Sequence, residues 1–276
     1  MSPQQDQPAH LEPSELGTKQ YLGCFPARAC SWDSLYTSEL SNHVHDPSDI
    51  GTVWFDDSDA EAKMVEFLAG IADDGDDKAT VDSALRGTPL SKATTAFLDL
   101  GCGNGSLLLA LRDDGWSGRL LGVDYSAQSI ALADRVAASR ASEQAPDAAH
   151  PAPPVEFREW DVIAGPIDAL NPSPGWDVVL DKGTFDAISL SEERDARGRR
   201  LCEGYRDRVW QLARPGGGLF LVTSCNWTEA ELRTWFEGSG GDDGAGFEVV
   251  GRVEYRSFSF GGRKGQTIST LCFRKP

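Results

Sequence analysis

The sequence predicts an α/β fold: a three-layer sandwich on a mostly parallel sheet that closes with a C-terminal antiparallel hairpin, seven strands in all. Three observations lead there. An apolar strand, Ala96-Phe97-Leu98, runs into Asp99 and a glycine turn (Gly101, Gly103, Gly105) that feeds a helical run from Leu107 to Leu111. This strand-helix pattern recurs until five units are counted. The last two strand-like runs, Phe247 to Tyr255 and Gln266 to Arg274, have only a Gly-Arg-rich turn at Gly261 to Gly265 between them.

The elements follow in order. Residues 1–30 are polar and expected to be a disordered tail, leaving 31–276 as a single domain. Its first segment, 31–58, is too aromatic for a linker; Trp32, Tyr36 and Leu40 at four-residue spacing predict a short helix, and the segment is expected to cap the ligand edge. Ser58 to Glu61 reads as a capping box for a helix from Asp59 to Ala69. Residues 73–93 read as an inserted acidic loop.

The glycine turn follows the first strand. A turn of this kind lets a ligand approach the backbone at a helix N-terminus. Asp99, two residues before Gly101, is foreign to a pyrophosphate site because a carboxylate repels phosphate; it suits a ligand carrying a positive amino group. Arg119 to Val123 predicts a second strand that ends at Asp124, placed to accept hydrogen bonds from a ribose diol, and Ser126 caps the next helix. Residues 141–154 are an Ala-Pro-rich insertion, and Val155 to Trp160 a third strand ending at Asp161. A fourth strand from Trp176 to Leu180 ends at Asp181, another acid at a strand's carboxyl end. A helix from Glu203 to Ala213, a strand from Leu219 to Ser224 and a helix capped by Thr228 to Glu231 complete the units.

Composition narrows the function. The 26 Lys and Arg against 43 Asp and Glu give a net charge of -17, which disfavours a nucleic-acid backbone and steers basic partners. Residues 1 to 90 alone hold 17 acids against 5 bases, or -12. No apolar run reaches membrane-spanning length and no leader pattern opens the chain, so a cytoplasmic protein is expected; without heptads, a monomer. The 6 cysteines form no C-x-x-C pair and the 4 histidines lie away from them, so no metal site is expected and Cys102 reads as a packing residue. The arginines at 194, 197, 199 and 200 read as a solvated loop.

DLGCGNG, from Asp99 to Gly105, resembles the first motif of S-adenosylmethionine-dependent methyltransferases with a seven-stranded, Rossmann-like sheet. DKGTFDAISL from Asp181, with SWDSLYTSEL and VWF near the start, resembles the fungal and animal lysine methyltransferases that modify translation elongation factor 1-alpha. DLGCGNGSLLLALRDDGW and LLGVDYSAQSIALA match that family as well, and the likeness covers most of 31–276. The resemblance implies S-adenosyl-L-methionine as cofactor, held by Asp99, Gly101, Gly103, Gly105, Asp124, Tyr125, Asp161 and Val162, with Asp161 meeting the adenine amino group. It implies Asp181 as the catalytic residue orienting the incoming amine, Phe185 and Trp54 against the substrate, and a protein substrate, elongation factor 1-alpha. A methyltransferase acting on another protein or a small-molecule amine, and a non-catalytic cofactor-binding scaffold, stay open as alternatives.

Overall fold

The computed structural model describes residues 29–72, 90–143, 152–237, 246–255, 258–260, 263–265 and 267–276. The expected tail up to residue 28, loop residues 73–89 and insertion residues 144–151 lie outside the described residues.

Seven strands form one sheet in the order β3-β2-β1-β4-β5-β9-β6. They are β1 (Phe97–Leu100), β2 (Leu120–Asp124), β3 (Glu156–Glu159), β4 (Val178–Lys182), β5 (Leu219–Ser224), β6 (Glu248–Val253) and β9 (Ser269–Arg274). The first five run parallel, and β9 is antiparallel to both β5 and β6. The chain winds outward from β1 through β2 to β3, then returns to pair β4 on the other side of β1. That reversal leaves a crevice outside the carboxyl ends of β1 and β4, where open sheets bind ligands.

Apolar side chains on both sheet faces make the sandwich. Leu98, Leu100, Val179 and Phe220 pack with α5 (Thr184–Leu190), α6 (Leu201–Leu212) and α7 (Glu229–Glu237) through Phe185, Tyr205, Val209 and Phe236. Phe97, Val178, Leu180 and Leu221 pack on the opposite face with Met64 and Leu68 of α2 (Ala60–Ala72) and Leu107, Leu108 and Leu111 of α3 (Ser106–Asp113). Burying these side chains on two faces is the main force holding the layers together.

The cap is a longer helix than expected, α1 (Ala29–His45), and it packs through Tyr36 and Leu40 against Leu132 and Val136 of α4 (Ala127–Glu143). Helix α4 also continues into the stretch expected to be insertion, through Glu143. The expected capping box at Ser58 is not formed. Residues Asp56–Ser58 make a 3-10 turn, Asp59 takes a left-handed φ of 52°, and the Ser58 hydroxyl lies 3.2 Å from Thr267 Oγ1. The second expected box is formed: the Thr228 amide donates to Glu231 Oε2 at 2.7 Å, and Glu231 N donates back to Thr228 Oγ1 at 3.4 Å.

Two further corrections concern chain ends of elements. The stretch between β6 and β9 contains a two-stranded ribbon of its own, β7 (Phe258–Phe260) against β8 (Arg263–Gly265). Strand β4 runs on through Asp181 and Lys182, and α5, for which the sequence offers no side-chain cap at Gly183, starts directly after it. The arginine loop is organised around Asp195, whose Oδ1 accepts the amides of Arg197 at 2.8 Å and Arg199 at 2.9 Å.

Candidate functional site

The glycine turn joins β1 to α3 with three left-handed glycines, Gly101 at φ 67°, Gly103 at 55° and Gly105 at 78°. All three also lack room for a side chain, a Cβ on Gly105 lying 2.5 Å from Phe157 Cζ. A Cβ on Gly101 would lie 2.1 Å from Thr184 Oγ1, and one on Gly103 would lie 2.9 Å from the Tyr36 hydroxyl. Any other residue there would strain the backbone and push α5 or α1 off the turn.

Beside this turn lies a cavity of about 20 Å³, lined by Tyr36, Thr52, Trp54, Asp99, Gly101, Cys102, Gly103, Asn104 and Lys182. Asp99 comes from the buried end of β1, and only 3% of its surface is exposed. Burial pushes its carboxyl up to about 8, against the pull of the nearby Lys182 ammonium. Burial also holds the Lys182 ammonium below its ordinary value, with Glu61 and Asp99 acting the other way. The far wall is aromatic: Trp54 meets Trp32 edge-on at 5.2 Å, and Trp32 stacks on Tyr36 at 6.3 Å.

Of the residues expected at the site, the cavity brings together Asp99, Gly101, Gly103 and Trp54. Gly105 stands one step further on, as the N-cap of α3. Asp124 touches the same turn from β2: its Oδ2 accepts the Gly103 amide at 3.2 Å and its Oδ1 the Ser126 amide at 2.9 Å. Tyr125 follows it, 39% exposed. Asp161 lies beyond the end of β3 and accepts the amides of Ile163 at 2.7 Å and Ala164 at 3.2 Å, while Val162 packs partly buried against the core. Asp124, Tyr125, Asp161 and Val162 lie along the carboxyl edge, outside the cavity.

Two of the expected residues are buried away from the cavity. Phe185 does not border the cavity; it is fully buried in the core, its ring 5.4 Å from Tyr205 and 5.2 Å from Phe236. Asp181 is likewise fully buried, because alternation along β4 turns it to the face opposite Lys182. Its Oδ1 accepts the Thr184 amide at 2.8 Å, its Oδ2 the Phe185 amide at 2.9 Å, and Tyr205 donates its hydroxyl to the same Oδ2. Burial pushes the Asp181 carboxyl up to about 7, and the hydrogen bonds oppose that shift. A carboxylate so occupied caps α5.

Sequence reasoning missed Thr52, Asn104 and Lys182, and placed Tyr36 only as a packing residue. Asn104 lies inside the glycine turn and donates its side-chain amide to the Ile50 carbonyl at 2.8 Å. Glu39, 6% exposed, accepts both the amide and the hydroxyl of Thr52, so α1 fixes the segment that covers the turn. The one available signal was the alternation of Asp181 and Lys182, which puts the lysine on the face of Asp99. Among the described residues, no group of three or more His, Cys, Asp or Glu is placed to hold a metal ion, and no helix is long and apolar enough to cross a membrane.

A family profile described as a methyltransferase domain matches residues 91–243. The chain is 34% identical to protein-lysine N-methyltransferase EFM4 of Saccharomyces cerevisiae over 268 residues, covering 97% of each chain. It is 37% identical to efm4 of Schizosaccharomyces pombe, over 96% of this chain and 95% of that one. EEF1A lysine methyltransferase 2 of Danio rerio is 30% identical, over 95% of this chain and 89% of the relative. In fold, the crystal structure of the 4+2 cyclase SpnF superposes with a TM-score of 0.52 at 15% identity, over 91% of this chain and 98% of that one.

Proposed function

The chain belongs to the methyltransferase family that holds protein-lysine N-methyltransferase EFM4 and EEF1A lysine methyltransferase 2, and on that premise we propose that it methylates a lysine of translation elongation factor 1-alpha, with S-adenosyl-L-methionine as methyl donor. The observation that carries the reading is the buried Asp99 carboxylate beside the glycine turn, on the wall of an aromatic cavity.

The residues present fit such a cofactor. Asp99 offers an anion to an ammonium group in a place where burial makes that charge pair strong. Asp124 suits a ribose diol, Asp161 an adenine amino group, and Tyr125 and Val162 flank the same edge. When bound, the cofactor supplies a sulfonium methyl group as electrophile. The protein's own part is to present a neutral amine. A free lysine has a pKa near 10.4, so reaching the neutral form at pH 7 costs about 4.6 kcal/mol. Trp54, backed by Trp32, strips water from an ammonium and so favours its neutral form. The amine's proton leaves to solvent before attack, and no strong base is required. Asp181 acts as a positioning residue: by fixing Thr184, Phe185 and Tyr205 it holds the edge of β4 that carries Lys182.

The acidic surface, -17 overall, speeds encounter with a basic protein by long-range attraction. The reading makes residues 31–276 a single catalytic domain working as a cytoplasmic monomer. The test is methyl transfer from labelled S-adenosylmethionine into purified elongation factor 1-alpha, with the product lysine located by mass spectrometry. One labelled lysine is expected with the wild type and none with Asp99→Ala. A wild type that binds cofactor yet leaves the factor unlabelled would overturn the substrate assignment and send the search to other proteins and small amines.

A further inference from the structure

The cavity contains one charged group that the proposed chemistry leaves unused. Lys182 ends β4, and its side chain projects from the same sheet face as Asp99: Asp99 pairs with Leu180 in the register, and Lys182 stands two residues beyond Leu180. Both line the cavity beside Gly101 and Gly103. The lysine side chain is only 12% exposed.

Its surroundings do not use it fully. Among the described residues, the ammonium donates one hydrogen bond, to the Trp54 carbonyl at 3.2 Å. Glu61 Oε2 lies 3.9 Å away, too far for a hydrogen bond, and that oxygen already accepts the Ser106 hydroxyl at 2.7 Å. A lysine has three N–H donors. A largely buried ammonium with donors to spare, facing a cavity, is costly unless a partner arrives.

The pairing with Asp99 identifies the partner's chemistry. An α-amino acid headgroup is a zwitterion, an ammonium and a carboxylate on one carbon. Asp99 alone would attract the first and repel the second. A cavity walled by one acid and one base matches both. We propose that Lys182 binds the carboxylate of the cofactor's amino-acid end, opposite Asp99, which takes the ammonium. The inference rests on S-adenosylmethionine being the cofactor, and it gives Lys182 a specificity role: it selects ligands that carry the carboxylate. The Trp54 hydrogen bond adds a second effect, since the lysine that reads the headgroup also holds the aromatic wall against which the substrate is expected to lie.

Calorimetric titration of the full chain with two nucleosides tests this. S-adenosylhomocysteine carries the amino-acid end; 5′-methylthioadenosine lacks it. Lys182→Met is expected to weaken S-adenosylhomocysteine at least about tenfold, the scale of one charge-assisted hydrogen bond, while leaving methylthioadenosine within about twofold; Lys182→Arg is expected to keep most of the affinity. Equal losses for both nucleosides would mean that Lys182 only supports the cap, and no loss would mean that it faces nothing; either overturns the inference while the cofactor reading stands. A wild type that binds neither nucleoside overturns the cofactor reading and this inference together. Should Lys182→Met fail to fold, the wild type is titrated with the decarboxylated amine analogue of S-adenosylhomocysteine: a loss of at least about tenfold is expected, and unchanged affinity overturns the proposal.

Discussion

Asn104 and Ile50 tie the cap to the glycine turn: the Asn104 side-chain amide donates to the Ile50 carbonyl at 2.8 Å, across 54 residues of sequence. The same side chain accepts the Ser106 amide at 3.1 Å through Oδ1, so a single residue fixes the first turn of α3 and the segment lying over it. The fastening holds the cap beside the cavity, which has a volume of about 20 Å³, room for about one water. Asn104→Ala is therefore expected to destabilise the protein by about 1–2 kcal/mol, the scale of a buried amide's lost bonds. Hydrogen exchange at residues 50–55 should accelerate more than elsewhere in the chain. Uniform acceleration would show that the bond supports the whole fold and does not gate the cap.

Asp99 links cofactor binding to pH. Burial pushes its carboxyl up to about 8, so at pH 7 the free protein holds much of it protonated. A ligand ammonium requires the ionised form and must displace that proton. Affinity should then rise from pH 6 to pH 8, and titration at pH 7 in buffers of different ionisation heat should detect proton release. Asp99→Asn should bind at least about tenfold more weakly and release no proton from this position. Proton release that persists in Asp99→Asn would point to another group.

Asp181 separates positioning from chemistry. Its carboxylate accepts the amides of Thr184 and Phe185 and the hydroxyl of Tyr205. Asp181→Ala strands these buried donors, at about 1–3 kcal/mol for each left unsatisfied. A fall in melting temperature is expected together with the loss of turnover. Tyr205→Phe, which removes only one donor, should cost less, and the two effects should not add, because the residues form one network. If Asp181→Ala melts like the wild type and loses turnover alone, the residue touches the reacting amine after all.

The parts of this site that were legible in the sequence are those carried by local pattern. The glycine turn, Asp99 before it and Asp124 after the next strand each lie within a single strand-turn-helix unit, where spacing alone fixes geometry. Residues that act across the fold left no such trace. Glu61 has the form of a capping-box acid, yet its carboxylate is claimed by Ser106, 45 residues away, and Ser58 turns instead to Thr267. Asp181 lies at the right strand end but on the face opposite Asp99, because β4 extends two residues further than its apolar run and side chains alternate along it, while Phe185 belongs to α5 and turns into the core. Helix α5 was hidden for a related reason: the groups that satisfy its first amides come from Asp181, inside the preceding strand.

The buried carboxylates also set the pH dependence of stability. Burial pushes Asp99 up to about 8, Asp181 to about 7 and Asp186 to about 6, while an unfolded aspartate titrates near 3.9. Between about pH 4 and pH 8 the folded protein therefore holds more protons on these groups than the unfolded chain does. Linkage then requires stability to be fully present below about pH 4 as far as these groups go, and to decline as pH rises through each folded value. Lys182 contributes in the opposite sense, because its lowered value lets the folded form lose a proton that the unfolded chain retains. The cofactor-free protein should melt at progressively lower temperature from pH 5.5 to pH 8.5, and Asp99→Asn should flatten the upper part of that decline. S-adenosylhomocysteine should flatten it too, because a bound ammonium stabilises the ionised Asp99 that the empty site disfavours. A melting temperature that climbs across this range in both proteins would mean that these aspartates are ionised in the free enzyme.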